Sequence, residues 1–142
     1  YKRQILDLPP GTGDIQLTIV QTAELDGVVV VTTPQEVALI DARKAIGLFE
    51  RVKTPILGVI ENMSYFQCPS DGKIYHIFGE GGGEREAAKL GVPLLGKIPL
   101  DIATRSGGDE GRPVALEDPG QNPVSAAFRQ VAEQCARMVL DC

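Results

Sequence analysis

No stretch of this sequence is apolar enough to cross a bilayer as a helix. Its aliphatic runs do not exceed the four valines at 28–31, against the ~20 residues such a helix needs. No secretory signal pattern opens the chain. There is no block of lysine or arginine, and 14 basic against 19 acidic side chains leave a net charge of −5. That balance removes the electrostatic case for a nucleic-acid partner. Cysteine is scarce and odd in number: Cys68, Cys135 and Cys142 are widely scattered, which excludes a secreted disulfide framework and makes a reducing cytoplasm the expected compartment. Internal repeats and low-complexity stretches are also missing.

What is present is a globular composition. With 142 residues, 43% apolar and 23% charged, the chain can build the core of one domain of ordinary size. It starts at Tyr1 rather than Met and meets a strand-like Ile5-Leu6 within a few residues, so a piece of a longer polypeptide is expected.

Four apolar segments, at 4–8, 27–32, 55–60 and 94–98, alternate with helical stretches. The valine run suits a strand buried on both faces. Thr33-Pro34-Gln35-Glu36 predicts a helix with a Thr cap, proline at the first helical position and Glu three residues after the cap. From there Ala38, Ala42, Ala45, Phe49 and Val52 recur at steps of four and three, widened by Leu39 and Ile46. Asn122 is placed to cap a last helix starting at Pro123, with Val124, Ala127, Phe128, Val131, Cys135 and Met138 on its apolar side. Asp14 is the expected cap of a helix reaching Ala23, and 84–90 forms a shorter one. The rhythm predicts an α/β fold: a mostly parallel sheet with helices on both faces. Residues 65–78 break it. Asp71-Gly72 between two aromatic-rich arms predicts a small hairpin excursion.

Asp7 is the first candidate for chemistry. It is expected at the carboxyl end of the first strand, the rim where ligands bind in open α/β sheets. A carboxylate there can hold Mg²⁺, and Gly11 and Gly13 let backbone N–H groups approach a phosphate. A strand-to-helix turn capped by Asp14 accounts for the same residues.

The segment Asp7-Leu8-Pro9-Pro10-Gly11-Thr12-Gly13-Asp14 resembles the Walker B/switch II region of the Mrp/ApbC family. These are deviant-Walker-A P-loop ATPases that carry iron–sulfur clusters, grouped with MinD and the nitrogenase iron protein. The resemblance continues in order through residues 33–39, Glu61-Asn62-Met63-Ser64-Tyr65-Phe66, Ile77-Phe78-Gly79 and Ile98-Pro99-Leu100-Asp101, then Arg105, Asp109 and Gly111-Arg112-Pro113. It implies residues 1–142 as the switch II-to-C-terminus part of a P-loop NTPase domain. No Gly-Gly-x-Gly-Lys stretch of the Walker A kind occurs in them, so this segment alone is expected to be inactive. By resemblance Asp7 lies near Mg²⁺ and Gly11 faces the γ-phosphate, the two expected catalytic positions. Asn62 contacts the adenine edge, with Pro99 and Asp101 lining the base pocket. ATP and Mg²⁺ are the implied cofactors. A homodimer that hydrolyses ATP and serves apo iron–sulfur client proteins is the implied assembly.

The family pairs two cysteines, Cys-x-x-Cys, in the hairpin to bridge a [4Fe-4S] cluster between two subunits. Here the slot reads Cys68-Pro69-Ser70-Asp71. Iron–sulfur clusters favour thiolates, and carboxylate is a harder, poorer ligand. Cys68 is therefore the one cluster candidate, with Asp71 as a possible substitute and His76 close enough in a hairpin to join them. Cys68 also reads as a packed thiol and His76 as a surface residue. A MinD-like, ATP-dependent interaction or scaffold protein without a cluster is the alternative. Among weaker features, residues 79–83 read as a flexible connection or an anion-binding helix start. Asp101, Arg105 and Asp109 read as a solvated network, Asp41 and Arg43 as solvent-facing, and Cys135 as core.

Overall fold

The computed structural model describes residues 4–9 and 13–140. Three parallel strands form the sheet: β1 (Val28–Thr32), β2 (Ile56–Glu61) and β5 (Leu94–Lys97), in the order β1-β2-β5. Each connection between them runs through a helix, α2 (Glu36–Arg51) or α3 (Gly82–Leu90). This is the crossover that parallel pairing demands. Successive side chains of a strand face opposite sides, and both sides are used. Val30 and Val59 join Ile46 of α2 and Ala87 of α3 in the buried core. Val31, Ile60 and Gly96 are cross-strand neighbours on the opposite face. There α5 (Pro123–Leu140) lies on β5, with Val131 seated against Gly96. A methyl group at Gly96 would fall 2.5 Å from Val131 Cγ2, so this helix-to-sheet spacing requires glycine. On the same face Val31 at the β1 edge is left 59% exposed.

The hairpin forms where Asp71-Gly72 places it. β3 (Phe66–Gln67) and β4 (Ile74–Tyr75) pair antiparallel, and Gly72 takes the left-handed conformation at φ 68°. Asn122 caps α5 as expected, its Oδ1 accepting from the amides of Val124 and Ser125 at 2.8 and 3.2 Å. α4 (Ile102–Asp109) and a single 3₁₀ turn (Val114–Leu116) complete the order, with α1 (Asp14–Thr22) preceding β1. Among the described residues no helix is long and apolar enough to cross a membrane.

Three expectations are corrected. Residues 4–9 run as irregular backbone, not a strand, with Ile5 99% exposed. None of the described strands pairs with them, and an apolar strand without neighbours has neither ladder nor cover. α2 begins at Glu36 with Gln35 at the cap position and no side-chain cap, so Thr33 does not cap it. The chain at Pro34 is instead held against α3, where a methyl on Gly82 would meet the Pro34 carbonyl oxygen at 2.5 Å. Asp14 is the first residue of α1 behind Gly13, not its cap. Leu39, Ile46 and Phe49, all expected on the apolar stripe of α2, are its buried residues, with Ala42 packed against the core.

Candidate functional site

The carboxyl ends of β1, β2 and β5 converge on one rim. Their exits are tied to one another by backbone hydrogen bonds. The Asn62 amide donates to Thr32 O (2.7 Å), the Ser64 amide to Ile98 O (3.0 Å), and the Ile98 amide to Glu61 O (2.9 Å). Between them Asn62-Met63-Ser64 makes a turn in which Met63 stands at φ 51°. That region is unfavourable for a side chain other than Gly, Asn or Asp. Asn62 Oδ1 accepts from the Met63 amide at 2.9 Å.

Under this turn lies Glu61, fully buried at 0% exposure. Its two carboxylate oxygens accept from the Ser64 hydroxyl (2.5 Å) and from the Gly83 amide (2.6 Å). A buried carboxylate without partners is prohibitively costly. Here it has two donors and sits at the N-terminus of α3, where the helix dipole favours negative charge. Gly82 and Gly83 are therefore packed positions at the start of α3. They allow α3 to close on Pro34 and Glu61, and the anion at this helix end is the chain's own. The signal was in the sequence: a glutamate closing an apolar strand, a serine three residues on, and a glycine run ahead of a helix. Nothing local joins Glu61 to Gly83, however.

The hairpin is rooted on the same rim. The Leu100 amide donates to Tyr65 O at 2.7 Å, and Phe66 bridges Leu100 in parallel. Beside it opens a cleft of about 280 Å³ whose walls include Tyr65, Cys68, Pro99, Leu100, Asp101 and Pro123. Pro99 and Asp101, expected at the base pocket, therefore share one cleft with Cys68, while Asn62 is not among its lining residues. The Asp101 carboxylate is occupied: it caps α4, accepting from the Thr104 amide (2.7 Å) and hydroxyl (2.8 Å). Arg105 pairs with Asp109 at 2.9 Å, without Asp101.

Cys68 is half-buried, its Sγ 3.0 Å from the Ser70 hydroxyl. Hydrogen bonds from the Ser70 side chain and the backbone of the turn hold its thiol below the usual range. Asp71 is engaged locally, accepting from the Lys73 amide (3.0 Å) and the Tyr75 hydroxyl (3.2 Å). The Lys73 amide bond leads in holding the Asp71 carboxyl low. His76 does not join them. Its Nδ1 faces Ser64 O at 3.4 Å and its Nε2 faces Glu80 at 3.6 Å, because the antiparallel register places it at the base of the hairpin while Cys68 and Asp71 flank the tip. Among the described residues no three His, Cys, Asp or Glu side chains converge as a metal-binding set. Asp7 is exposed on the irregular segment. Gly11 and Cys142 lie outside the described residues. Cys135 is half-buried on α5, and burial raises its thiol.

Arg43 is not a free surface cation. It makes a bidentate pair with Glu86 (2.8 and 2.7 Å) and reaches Glu36 at 2.8 Å. Glu86 is buried, and the Arg43 hydrogen bonds hold its carboxyl below the usual range. This joint locks α2 to α3 and so fixes the helix that Glu61 caps.

Comparison with known proteins accords with this geometry. A family profile described as a ParA-type NUBPL iron-transfer P-loop NTPase matches residues 4–136. An iron–sulfur cluster carrier protein of Pyrococcus furiosus is 51% identical over 130 residues, 92% of this chain and 43% of the relative. An Arabidopsis thaliana protein, the mitochondrial iron–sulfur protein required for NADH dehydrogenase, is 47% identical over 133 residues, 94% of this chain and 42% of the relative. The chain thus spans less than half the length of these relatives. Among solved structures, a nucleotide-binding protein from Archaeoglobus fulgidus in complex with ADP superposes with a TM-score of 0.65 at 44% identity, covering 74% of this chain and 43% of that one. The cell division ATPase MinD of Pyrococcus furiosus gives 0.59 at 28% identity, covering 80% and 43%. The chain belongs to the ParA/NUBPL family of iron-transfer P-loop NTPases.

Proposed function

We propose that this chain is the switch and hairpin part of an ATP-hydrolysing iron–sulfur cluster carrier that works as a homodimer and passes its cluster to apo client proteins. The observation that carries the reading is the shared rim. The strand-end turn bearing Asn62, the Pro99–Asp101 loop and the hairpin bearing Cys68 are all hydrogen-bonded to one another there. The residues fit a nucleotide in part. Asn62 has its amide nitrogen available at the rim. The loop after β5 offers the apolar wall of Pro99 and Leu100, and Asp101 serves by shaping that loop, since its carboxylate is taken by Thr104. Asp7 is the carboxylate that would stand near Mg²⁺, and Gly11 the amide that would follow the γ-phosphate. When bound, the metal would supply charge neutralisation at the phosphates.

The cluster is cargo in this reading. Each protomer offers one thiol, Cys68, already biased toward thiolate by Ser70. Thiolate is the form that binds iron. Two protomers would bring two such sulfurs together, with Asp71 as the neighbouring oxygen donor. A MinD-like interaction protein without cargo is the second reading. It is favoured by one observation: Asp71, in the slot of the second cysteine, is turned to Lys73 and Tyr75.

Anaerobic reconstitution of the full-length protein with iron and sulfide separates the two. A visible absorption band in the wild type, lost in Cys68→Ser, supports the carrier. Its absence from a wild type that still hydrolyses ATP supports the second reading.

A further inference from the structure

The backbone of Met63 stands out beside this function. Two described residues other than glycine have positive φ: Lys53 at 58° and Met63 at 51°. Lys53 follows Val52 at the end of α2, where a left-handed residue closes a helix. Met63 ends no helix, and its side chain is exposed, so no burial offsets its conformation. Such strain persists where the surroundings over-determine it, and it collects at switch regions.

The surroundings are specific. On one side, the Asn62 amide is held by Thr32 O on β1. On the other, the Ser64 amide is held by Ile98 O, and its hydroxyl by Glu61, which α3 fixes through Gly83. The turn is clamped at both ends. Its one internal tie is the bond from the Met63 amide to Asn62 Oδ1. Immediately downstream, Ser64 O faces His76 and Tyr65 O accepts from Leu100, so the hairpin carrying Cys68 is rooted on the turn.

We infer that the Met63 turn is a strained relay that reports occupancy at Asn62 to the Cys68 hairpin, with Glu61 as its fixed end. An amino group arriving at Asn62 Oδ1 competes with the Met63 amide for that oxygen. Loss of the tie lets Met63 leave the left-handed region. Because β1 holds the Asn62 end, the change at Met63 turns the Ser64 peptide about its hydroxyl anchor on Glu61, and the Ser64 carbonyl facing His76 and the adjoining Tyr65 pass it to the hairpin. This inference rests on the nucleotide reading given above.

The test uses the full-length protein as wild type, Met63→Ala and Met63→Gly. Alkylation of Cys68 by iodoacetamide is followed by peptide mass spectrometry, with Cys135 as internal reference, with and without saturating Mg-ADP. ADP binding is measured separately by calorimetry. The relay requires that ADP change the wild-type Cys68 rate by about fivefold or more. Met63→Ala keeps the strained backbone and retains the response. Met63→Gly adopts the same φ without strain, and its response falls below about twofold although it still binds ADP. The inference is overturned if ADP binds the wild type without altering the Cys68 rate, or if Met63→Gly retains the full response. It is also overturned if Met63→Ala loses the response as completely as Met63→Gly, which would assign the effect to the thioether. Failure of the wild type to bind ADP at all refutes the nucleotide reading itself, and the relay with it.

Discussion

Glu61 and Gly83 lie 22 residues apart in sequence, and the carboxylate of the first accepts a 2.6 Å hydrogen bond from the amide of the second. That single contact joins the end of the central strand to the start of a crossover helix. With the Ser64 bond on its other oxygen, it also sets the point at which the hairpin leaves the sheet. The most buried charged group of the described chain thus sits directly beneath the residues proposed to meet a nucleotide.

Gly83→Ala tests this contact. The added methyl would lie 2.9 Å from Glu61 Cβ and 3.2 Å from Oε2, so α3 has to move outward. Overpacking of this kind costs about 1–3 kcal/mol. Chemical denaturation should show that loss, and a variant as stable as the wild type would mean that α3 closes less tightly than described.

Gly96 and Val131 form a second close approach, on the α5 face of the sheet. Gly96→Ala places a methyl 2.5 Å from Val131 Cγ2. Val131→Ala alone opens a small void, for a loss of about 1–3 kcal/mol. The two changes together should cost less than the sum of the single losses, because each relieves the other. A double-mutant cycle measures the coupling, and strict additivity would contradict the packing.

The Arg43–Glu86 joint should make stability depend on pH. The Arg43 hydrogen bonds hold the Glu86 carboxyl below its ordinary value. A depressed carboxylate contributes stability that is fully present above the unfolded-state value of about 4.3 and is lost as pH falls through the folded value. At neutral pH Glu86→Gln should cost about 1–3 kcal/mol. Below about pH 4 the gap between wild type and variant should narrow. Denaturation at several pH values reads it, and a gap that stays constant would rule out this linkage.

Ser70→Ala should move the Cys68 thiol upward. The Ser70 side chain leads the causes that hold it low, and thiolate is the form that reacts. The pH midpoint for Cys68 alkylation should therefore rise, and the rate at neutral pH should fall. Cys135, raised by burial, should react more slowly than Cys68 throughout. An unchanged Cys68 profile in Ser70→Ala would remove the hydroxyl from the account.

The parts of this fold carried by local signals were legible without coordinates. Four consecutive valines, Asp71-Gly72, and Asn122 before Pro123 each name a strand, a turn and a cap through neighbouring residues alone. The order of motifs from Asp7 to Pro113 likewise carried the family. What escaped the reading depends on residues far apart. The Arg43–Glu86 pair spans 43 positions, and no helical periodicity announces a cation that leaves its own face to meet another helix. The role of the glycines at 81–83 becomes visible only once Pro34 and Glu61 are seen against them. Thr33 satisfies the pattern of a cap, yet tertiary contact at Pro34 moved the helix start past it. Residues 4–8 have the hydrophobicity of a strand, but pairing is a property of neighbours and cannot be read from one segment. In the hairpin, Cys68, Asp71 and His76 are close in sequence, and the antiparallel register then separates His76 from the other two.

The hairpin is also stitched to the main sheet, through Phe66 beside Leu100 and the amide of Leu100 on Tyr65. Its first arm, the second arm paired to it through Phe66 and Tyr75, and the exit of β5 therefore belong to one cooperative unit of opening. Amide exchange at Leu100 should keep pace with exchange at Tyr75. Whatever docks on the hairpin will thereby slow fluctuations in a loop it never touches.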